Sequence, residues 1–232
     1  MFNNIELLNF NKKHFVYENI LVAGGRIPHK KWFRTIAQSK DVYCADKGID
    51  ICFRTGIIPK MLIGDMDSCD QTALQWAEKN HVKIKKLARE KDDTDFKLML
   101  IEMLMQTSGN IVCTGVWGGR FDHLYSIIRY IFTAQINIER TLIMADQDEI
   151  IFFLHPALSQ VIIRYSPLIK NISILPMDNE PIVDIIGAKW SLNHKKLSNE
   201  DVYSISNEPL VGQDIKINIA QGCVGVYLNF IK

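Results

Sequence analysis

The sequence predicts an α/β N-terminal domain with a mainly parallel sheet, followed by a small all-β, sandwich-like C-terminal domain. Three observations predict this. Through about Asp148, short apolar runs alternate with helix-period segments, the signature of βαβ units. Beyond Asp148 the helix periods stop, and apolar runs alternate with turn residues, as in antiparallel β domains. Polar clusters sit just after apolar runs of the first part, and strand ends of open α/β sheets are where ligands bind. The domains are therefore placed at residues 1–148 and 149–232.

The elements follow in order. Ile20-Leu21-Val22-Ala23 reads as a strand closed by Gly24-Gly25. His29 to Ser39 reads as a helix with Trp32, Phe33 and Ile36 on one side. Val42–Ala45 is the next strand, ending at Asp46, and Met61–Ile63 another, ending at Gly64-Asp65. A helix over Thr72–Lys79 leads to a strand at Val82–Ile84. Asp93 or Thr94 suits the cap of a long helix through Met105, because a short acceptor there satisfies orphan N–H groups. Ile111–Thr114 is a strand, followed by a glycine-arginine cluster and a helix to about Ala134, and Thr141–Met144 is the last strand of this part. In the second part the apolar runs are 150–154, 161–164, 172–175, 182–186, 215–219 and 224–228. Turn residues at Asp178-Asn179, Gly187, Asn193-His194, Ser206-Asn207 and Gln221-Gly222 separate them.

Composition narrows the function. A formal net charge of +1 gives no global field for nucleic acid, and Lys83, Lys85 and Lys86 read first as a solvated face. The five cysteines form no CxxC pair and no zinc-like spacing, which fits a reduced, cytoplasmic protein. No apolar run approaches a membrane span, and no signal-peptide core is visible. There is no HExxH and no Gly-x-Ser-x-Gly. His29, His81 and His155 read as surface or loop residues, and Trp190 and Phe153 read first as core aromatics.

Three clusters carry chemistry. In Gly64-Asp65-Met66-Asp67-Ser68, an extended backbone would turn Asp65 and Asp67 to one side. Two close carboxylates need a cation, and Mg²⁺ is held by one or two carboxylates plus substrate phosphates. Ser68 suits a cap for the next helix. In Lys91-Asp92-Asp93-Thr94-Asp95, the acids extend that surface, and Lys91 can meet a phosphate or balance the carboxylates. In Gly118-Gly119-Arg120-Phe121-Asp122-His123, the glycines can aim N–H groups at an anion, and Arg120 can grip phosphate oxygens. His123 suits a phosphate contact or support of the loop. Taken singly, each cluster is equally readable as a polar turn, a charged loop or a capped helix. Together they point to nucleotide chemistry with a hard metal ion.

In order and spacing these clusters resemble the thiamin pyrophosphokinase family. The resemblance also takes in Ala45-Asp46-Lys47-Gly48, where the family commonly has Asp-Gly-Gly, and Gly115 before the Gly-Arg cluster. It extends to Gly187-Ala188-Lys189-Trp190-Ser191-Leu192 and Ser204-Ile205-Ser206-Asn207-Glu208, which look like the family's thiamin-side motifs. Lysine at position 47 would be strained if that position needed a positive φ; if it does not, the lysine charge can assist phosphate binding.

The resemblance implies a homodimer, with thiamin where the α/β domain of one subunit meets the β domain of the other. It implies transfer of a pyrophosphoryl group from ATP to the thiamin hydroxyl, releasing AMP. It assigns Asp65, Asp67 and Asp95 to Mg²⁺, with Asp46 and Asp92 in support. Lys91, Thr94, Asp122 and His123 join the nucleotide side, where Arg120 and the Gly118-Gly119 backbone hold phosphates. Trp190 would stack on a thiamin ring, and Ser206 and Asn207 would bond the aminopyrimidine or shape its pocket. Two rivals keep the same residues: a metal-dependent phosphohydrolase using water, and a binding module without catalysis.

Overall fold

A computed structural model describes residues 5–8, 13–88, 90, 92–198, 200 and 204–231, and of residues 5–8 and 13–14 the backbone. In chain order its first elements are β1 (Ile5–Leu8), β2 (Lys13–His14), β3 (Asn19–Val22), α1 (Lys30–Ala37), β4 (Asp41–Ala45), α2 (Ile49–Thr55) and β5 (Met61–Gly64). There follow α3 (Gln71–Lys79), β6 (Lys83–Lys86), α4 (Asp95–Gln106), β7 (Ile111–Thr114), α5 (Phe121–Gln135) and β8 (Leu142–Ala145). The last strands are β9 (Glu149–Leu154), β10 (Gln160–Ile163), β11 (Ile169–Pro176), β12 (Ile182–Ile186), β13 (Leu192–Lys196), β14 (Ile215–Gln221) and β15 (Val224–Phe230). The chain divides into two compact units, Tyr17–Gln147 and a second made of Met1–Val16 with Asp148–Lys232.

The Tyr17–Gln147 unit is built on parallel pairing in the order β6-β5-β4-β3-β7-β8. Strands β3, β5, β7 and β8 are buried along their length, and β4 beyond its exposed first residue Asp41, as expected of a sheet covered on both faces. The edge strand β6 reads KIKK and is mostly exposed, which blunts an open edge with charge. Its Lys85 pairs with Glu102 of α4 at 2.9 Å, so these lysines form a solvated face.

Chain order runs outward from β3 to β4 on one side and later to β7 on the other. The strand order therefore reverses between β3 and β7, and such switch points open a crevice at the carboxyl ends of the strands. Register aligns those ends. Val22 lies opposite Thr114 and Cys44, and Ala45 opposite Ile63. The residues that follow, Gly24, Gly115, Asp46 and Asp65, therefore emerge along one rim.

Several local details differ from the sequence reading. The α2 helix was not anticipated. It ends in the left-handed Gly56 (φ +72°), whose N–H donates to the Phe53 carbonyl at 3.2 Å and closes the last turn. Helix α3 is capped by Asp70, which accepts the Thr72 N–H at 2.8 Å, whereas Ser68 bonds Asp46 instead. Thr94 caps α4 by accepting the Lys97 N–H at 3.2 Å.

The second unit contains antiparallel sheets. One is a 6-stranded sheet in the order β13-β12-β14-β10-β1-β2, and a second pairing joins β11, β15 and β9. Strands β10 and β14 alternate buried and exposed residues, whereas β9 is almost wholly buried. The N-terminal β1 pairs with β10, so the first residues of the chain belong to this unit. His155 is buried rather than on the surface, and burial pushes its imidazole below its ordinary pKa. Phe153 is fully buried, but Trp190 is 54% exposed and is not a core aromatic. Among the described residues no helix is long and apolar enough to cross a membrane.

Candidate active site

The crevice at the switch point is a cleft of about 610 Å³ within the Tyr17–Gln147 unit. Its floor is backbone. The Gly25 N–H donates to the Gly115 carbonyl at 2.6 Å. A side chain at either residue would strike the other loop, since a Cβ on Gly25 would lie 2.6 Å from the Gly115 oxygen. Gly118 and Gly119 take φ of +74° and +68°, a conformation only glycine adopts freely, and carry the loop round to α5.

Acidic side chains form the walls: Asp46, Asp65, Asp92, Asp93 and Asp95 all line the cleft. Asp46 holds a positive φ of +47°, and its carboxylate accepts from the Ser68 hydroxyl and lies 3.5 Å from Cys69 Sγ. That contact and burial push the Cys69 thiol well above its ordinary pKa, burial being the larger cause. A left-handed non-glycine residue locked by a neighbour is the kind of strain that gathers at functional sites. Asp95 begins α4 with one carboxylate oxygen buried, close to the helix N-terminus. Asp93 pairs with Lys97, whose ammonium also lies 5.2 Å from the Tyr130 ring.

The Asp65–Asp67 segment is not extended. Met66 takes φ +67°, and the Asp67 N–H turns back to Asp65 Oδ1 at 3.0 Å. The alternation argument for two parallel carboxylates therefore fails, and a turn sets their relation instead. Asp65 lines the cleft, whereas Asp67 is exposed and is not among the lining residues.

Arg120, the residue before α5, also lines the cleft. Its guanidinium holds Asp122 through two bonds, 3.1 Å from Nε and 2.5 Å from a terminal nitrogen. The pairing raises the Arg120 pKa and lowers that of Asp122. Both side chains are largely exposed, so the pair is weak and can yield to a phosphate at little cost. His123 lines the cleft, and its N–H donates to Asp122 Oδ1 at 3.0 Å. Thr94 lines it too, while its hydroxyl caps α4. Lys91 lies outside the described residues.

Sequence reasoning passed over one feature of this site. Arg26 donates to Asp146 from Nε at 2.9 Å, and the Asp146 side chain is only 1% exposed. A charge buried to that degree requires such a partner, and the pair ties the loop after β3 to the end of β8. Asp146 just beyond an apolar run was the available signal, the same one that marked the three clusters. For Lys47 the sequence left two readings open, backbone strain or a charge that assists phosphate binding, and the backbone removes the first. Lys47 lines the cleft, and the positive φ falls on Asp46 rather than on Lys47, so lysine carries no backbone strain there.

The cleft's donors toward a metal are carboxylate oxygens, which suit a hard cation such as Mg²⁺. Among the described residues no three acidic, histidine or cysteine groups converge as a ready cage. Magnesium commonly needs only one or two carboxylates beside substrate phosphates, so this donor set fits it.

A second pocket, of about 490 Å³, lies in the other unit and is lined by Trp190, Leu192, Ser204, Ile205, Ser206 and Asn207. Asn207 is buried and holds the Trp190 backbone from both sides. Its Oδ1 accepts the Trp190 N–H at 3.1 Å, and its Nδ2 donates to the Trp190 carbonyl at 2.7 Å. The same oxygen accepts the Glu208 N–H at 2.9 Å. Its Oδ1 and one Nδ2 hydrogen are thus engaged in shaping the pocket. Ser206 is exposed in a left-handed turn (φ +57°), with its N–H bonded to Ser173 Oγ at 3.0 Å. The Lys189 ammonium sits 4.6 Å from the Trp190 ring centre and pairs with Glu208 at 3.1 Å.

Comparison with known proteins gives this arrangement a family. The model "Thiamin pyrophosphokinase, catalytic domain" matches residues 33–143, and "Thiamin pyrophosphokinase, vitamin B1 binding domain" matches residues 160–224. The two matches divide between the two pockets and together cover well over half of the chain. The chain is 29% identical over 165 residues to the thiamine pyrophosphokinase of Bacillus subtilis, spanning 70% of this chain and 75% of that relative. The crystal structure of that Bacillus subtilis enzyme superposes with a TM-score of 0.81 at 22% identity, covering 93% of this chain and 100% of the other. Thiamin pyrophosphokinase from Candida albicans gives 0.78 at 17% identity, with 92% and 90% covered. At those identities the two structures speak for the fold, and the paired domain matches speak for the family. The chain belongs to the thiamin pyrophosphokinase family.

Proposed function

We propose that the chain transfers the pyrophosphoryl group of ATP to the hydroxyl of thiamin, giving thiamin diphosphate and AMP. The observation that carries this reading is the cleft at the switch point, over a glycine backbone, whose five wall aspartates all lie within the segment matched to the catalytic domain. Transfers of this type need positioning and charge neutralisation more than covalent help.

Asp65, Asp67 and Asp95 would hold Mg²⁺, with Asp46 and Asp92 in support. Bound there, Mg²⁺ would offset the repulsion between these carboxylates and the phosphates of ATP. Asp65 and Asp95 carry more of this duty than Asp67, because they line the cleft. Arg120 exchanges Asp122 for phosphate oxygens, and the Gly118-Gly119 turn offers backbone N–H groups beside it. Thr94 and His123 complete the nucleotide wall, and Lys91 is assigned to the same ligand from the sequence resemblance alone. The thiamin hydroxyl oxygen attacks the β-phosphorus as the bond from that phosphorus to the α-phosphate oxygen breaks. AMP leaves with the bridging oxygen, and a cleft aspartate accepts the hydroxyl proton.

Trp190 provides a flat face for the thiamin ring, and the Lys189 ammonium already beside that ring marks it as a face that accepts a cation. Ser206 borders the same pocket, and Asn207 keeps Trp190 in place. The protein is proposed to act as a homodimer in the cytoplasm, where its five free thiols would stay reduced.

The test is a product assay on purified protein with Mg²⁺, ATP and thiamin. Equal amounts of AMP and thiamin diphosphate are expected. ADP with thiamin monophosphate would mean transfer of a single phosphoryl group, and nucleotide breakdown without thiamin would mean a hydrolase.

A further inference from the structure

We propose that Lys47 is a direct ligand of the ATP polyphosphate in this chain. The inference rests on the reading of the acidic cleft as the ATP site.

Position is the first argument. Lys47 follows Asp46 in the short turn that ends β4, and it is exposed on the wall of the cleft. Its stem packs against the loop after β3, since a Cβ added to Gly24 would fall 2.8 Å from the Lys47 Cβ. The side chain therefore rises at the switch point, beside the glycine floor on which a phosphate would rest.

The second argument is charge. Among the described lining residues, the permanently basic side chains are Lys47 and Arg120, facing five aspartates. Arg120 is engaged by Asp122, and nearby Arg26 and Lys97 are engaged by Asp146 and Asp93. Lys47 makes no ion pair or side-chain hydrogen bond among the described residues, although Asp46 and Asp65 line the same cleft. A lysine ammonium held in that way is a point charge left available to an anion. A polyphosphate entering an acidic cleft is the ligand that most needs it.

The third argument is backbone. The left-handed position of the turn is taken by Asp46, which leaves position 47 open to a side chain. The lysine is therefore accommodated in the turn without distortion.

Two variants test the assignment, Lys47→Met and Lys47→Arg. Steady-state constants for ATP and thiamin are measured alongside equilibrium binding of ATP with Mg²⁺, and of adenosine, both in the absence of thiamin. A charge-assisted phosphate contact predicts about tenfold weaker ATP binding and a similar rise in ATP KM for Lys47→Met. Thiamin KM and adenosine affinity stay unchanged, and Lys47→Arg recovers most of the loss. ATP affinity within about twofold of wild type in Lys47→Met, or an equal loss for adenosine, overturns the proposal. The wild-type protein separates the two levels. If it binds no ATP, both readings fall. If it turns over normally and Lys47→Met matches it, only the assignment of Lys47 falls.

Discussion

The cleft of the Tyr17–Gln147 unit and the pocket of the second unit are made from opposite materials. Among its described lining residues the first has five aspartates, Lys47 and Arg120 over a floor of glycine backbone. The second has Trp190, Leu192 and Ile205, with a buried asparagine bracing the tryptophan from behind. A highly charged ligand needs compensating charge and backbone N–H groups, and a flat organic cation needs an aromatic face. One pocket suits a nucleotide polyphosphate with its metal ion, and the other suits thiamin. The difference also shows where rigidity comes from. In the cleft, loops from separate strands touch backbone to backbone, so its shape depends on the parallel sheet. In the pocket, one local network around Asn207 sets the shape.

That contrast can be broken by substitution. Asp65→Asn should cut kcat by about three orders of magnitude, since charge stabilisation of a transferring phosphoryl group is worth several kcal/mol. Circular dichroism should be unchanged. Asp67→Asn should lose much less, because Asp67 is off the wall, and equal losses would contradict the ranking drawn from the geometry. Trp190→Ala should raise the thiamin KM by about tenfold, the scale of a desolvated cation–π contact, and leave the ATP KM alone. A parallel rise in both constants would show that the pockets do not divide the substrates.

Within the pocket, Asn207→Ala should destabilise the second unit by about 1–3 kcal/mol, because it strands backbone groups of Trp190 and Glu208. Thermal unfolding measures this, and the thiamin KM should rise with it. Ser206→Ala, by contrast, should change stability by less than about 0.5 kcal/mol and the thiamin KM by less than about twofold, as a change in an exposed side chain. If Ser206→Ala proved the more damaging variant, its hydroxyl and not the Asn207 brace would be the recognition element.

The smallest effect concerns pH. Burial depresses the His155 pKa in the folded chain below the ordinary value of 6.5. The unfolded chain then binds the proton more readily, so the contribution of His155 to stability is complete above that value. It is lost as pH falls through 6.5 toward the folded pKa. Unfolding of His155→Gln measured from about pH 7.5 to about pH 5 should show a flatter slope than wild type. Identical slopes would mean that His155 does not contribute.

The parallel sheet was legible because its strands are continuous apolar runs with polar residues immediately after them. Register then brings the residues that follow those strands, Asp46 and Asp65 among them, to one rim. What stayed hidden depends on conformation or on distant partners. Met66 carries no sequence sign of a left-handed turn, so the relation of Asp65 to Asp67 was misread. Strand β13 reads LNHKK and has no apolar period, and β1 is recognisable only through its pairing with β10 across more than half the chain. The bond of Ser68 to Asp46 and the hold of Asn207 on Trp190 are likewise set by folding, not by neighbours in sequence.

The central claim is that the acidic cleft performs the transfer while thiamin is recognised by the Trp190 pocket. Calorimetric titration of thiamin into Asp65→Asn, beside wild type and Trp190→Ala, tests it most directly. The account predicts that Asp65→Asn binds thiamin with wild-type affinity while forming almost no AMP, and that Trp190→Ala binds it about tenfold more weakly. Loss of thiamin binding in folded Asp65→Asn, or undiminished binding in Trp190→Ala, would contradict it.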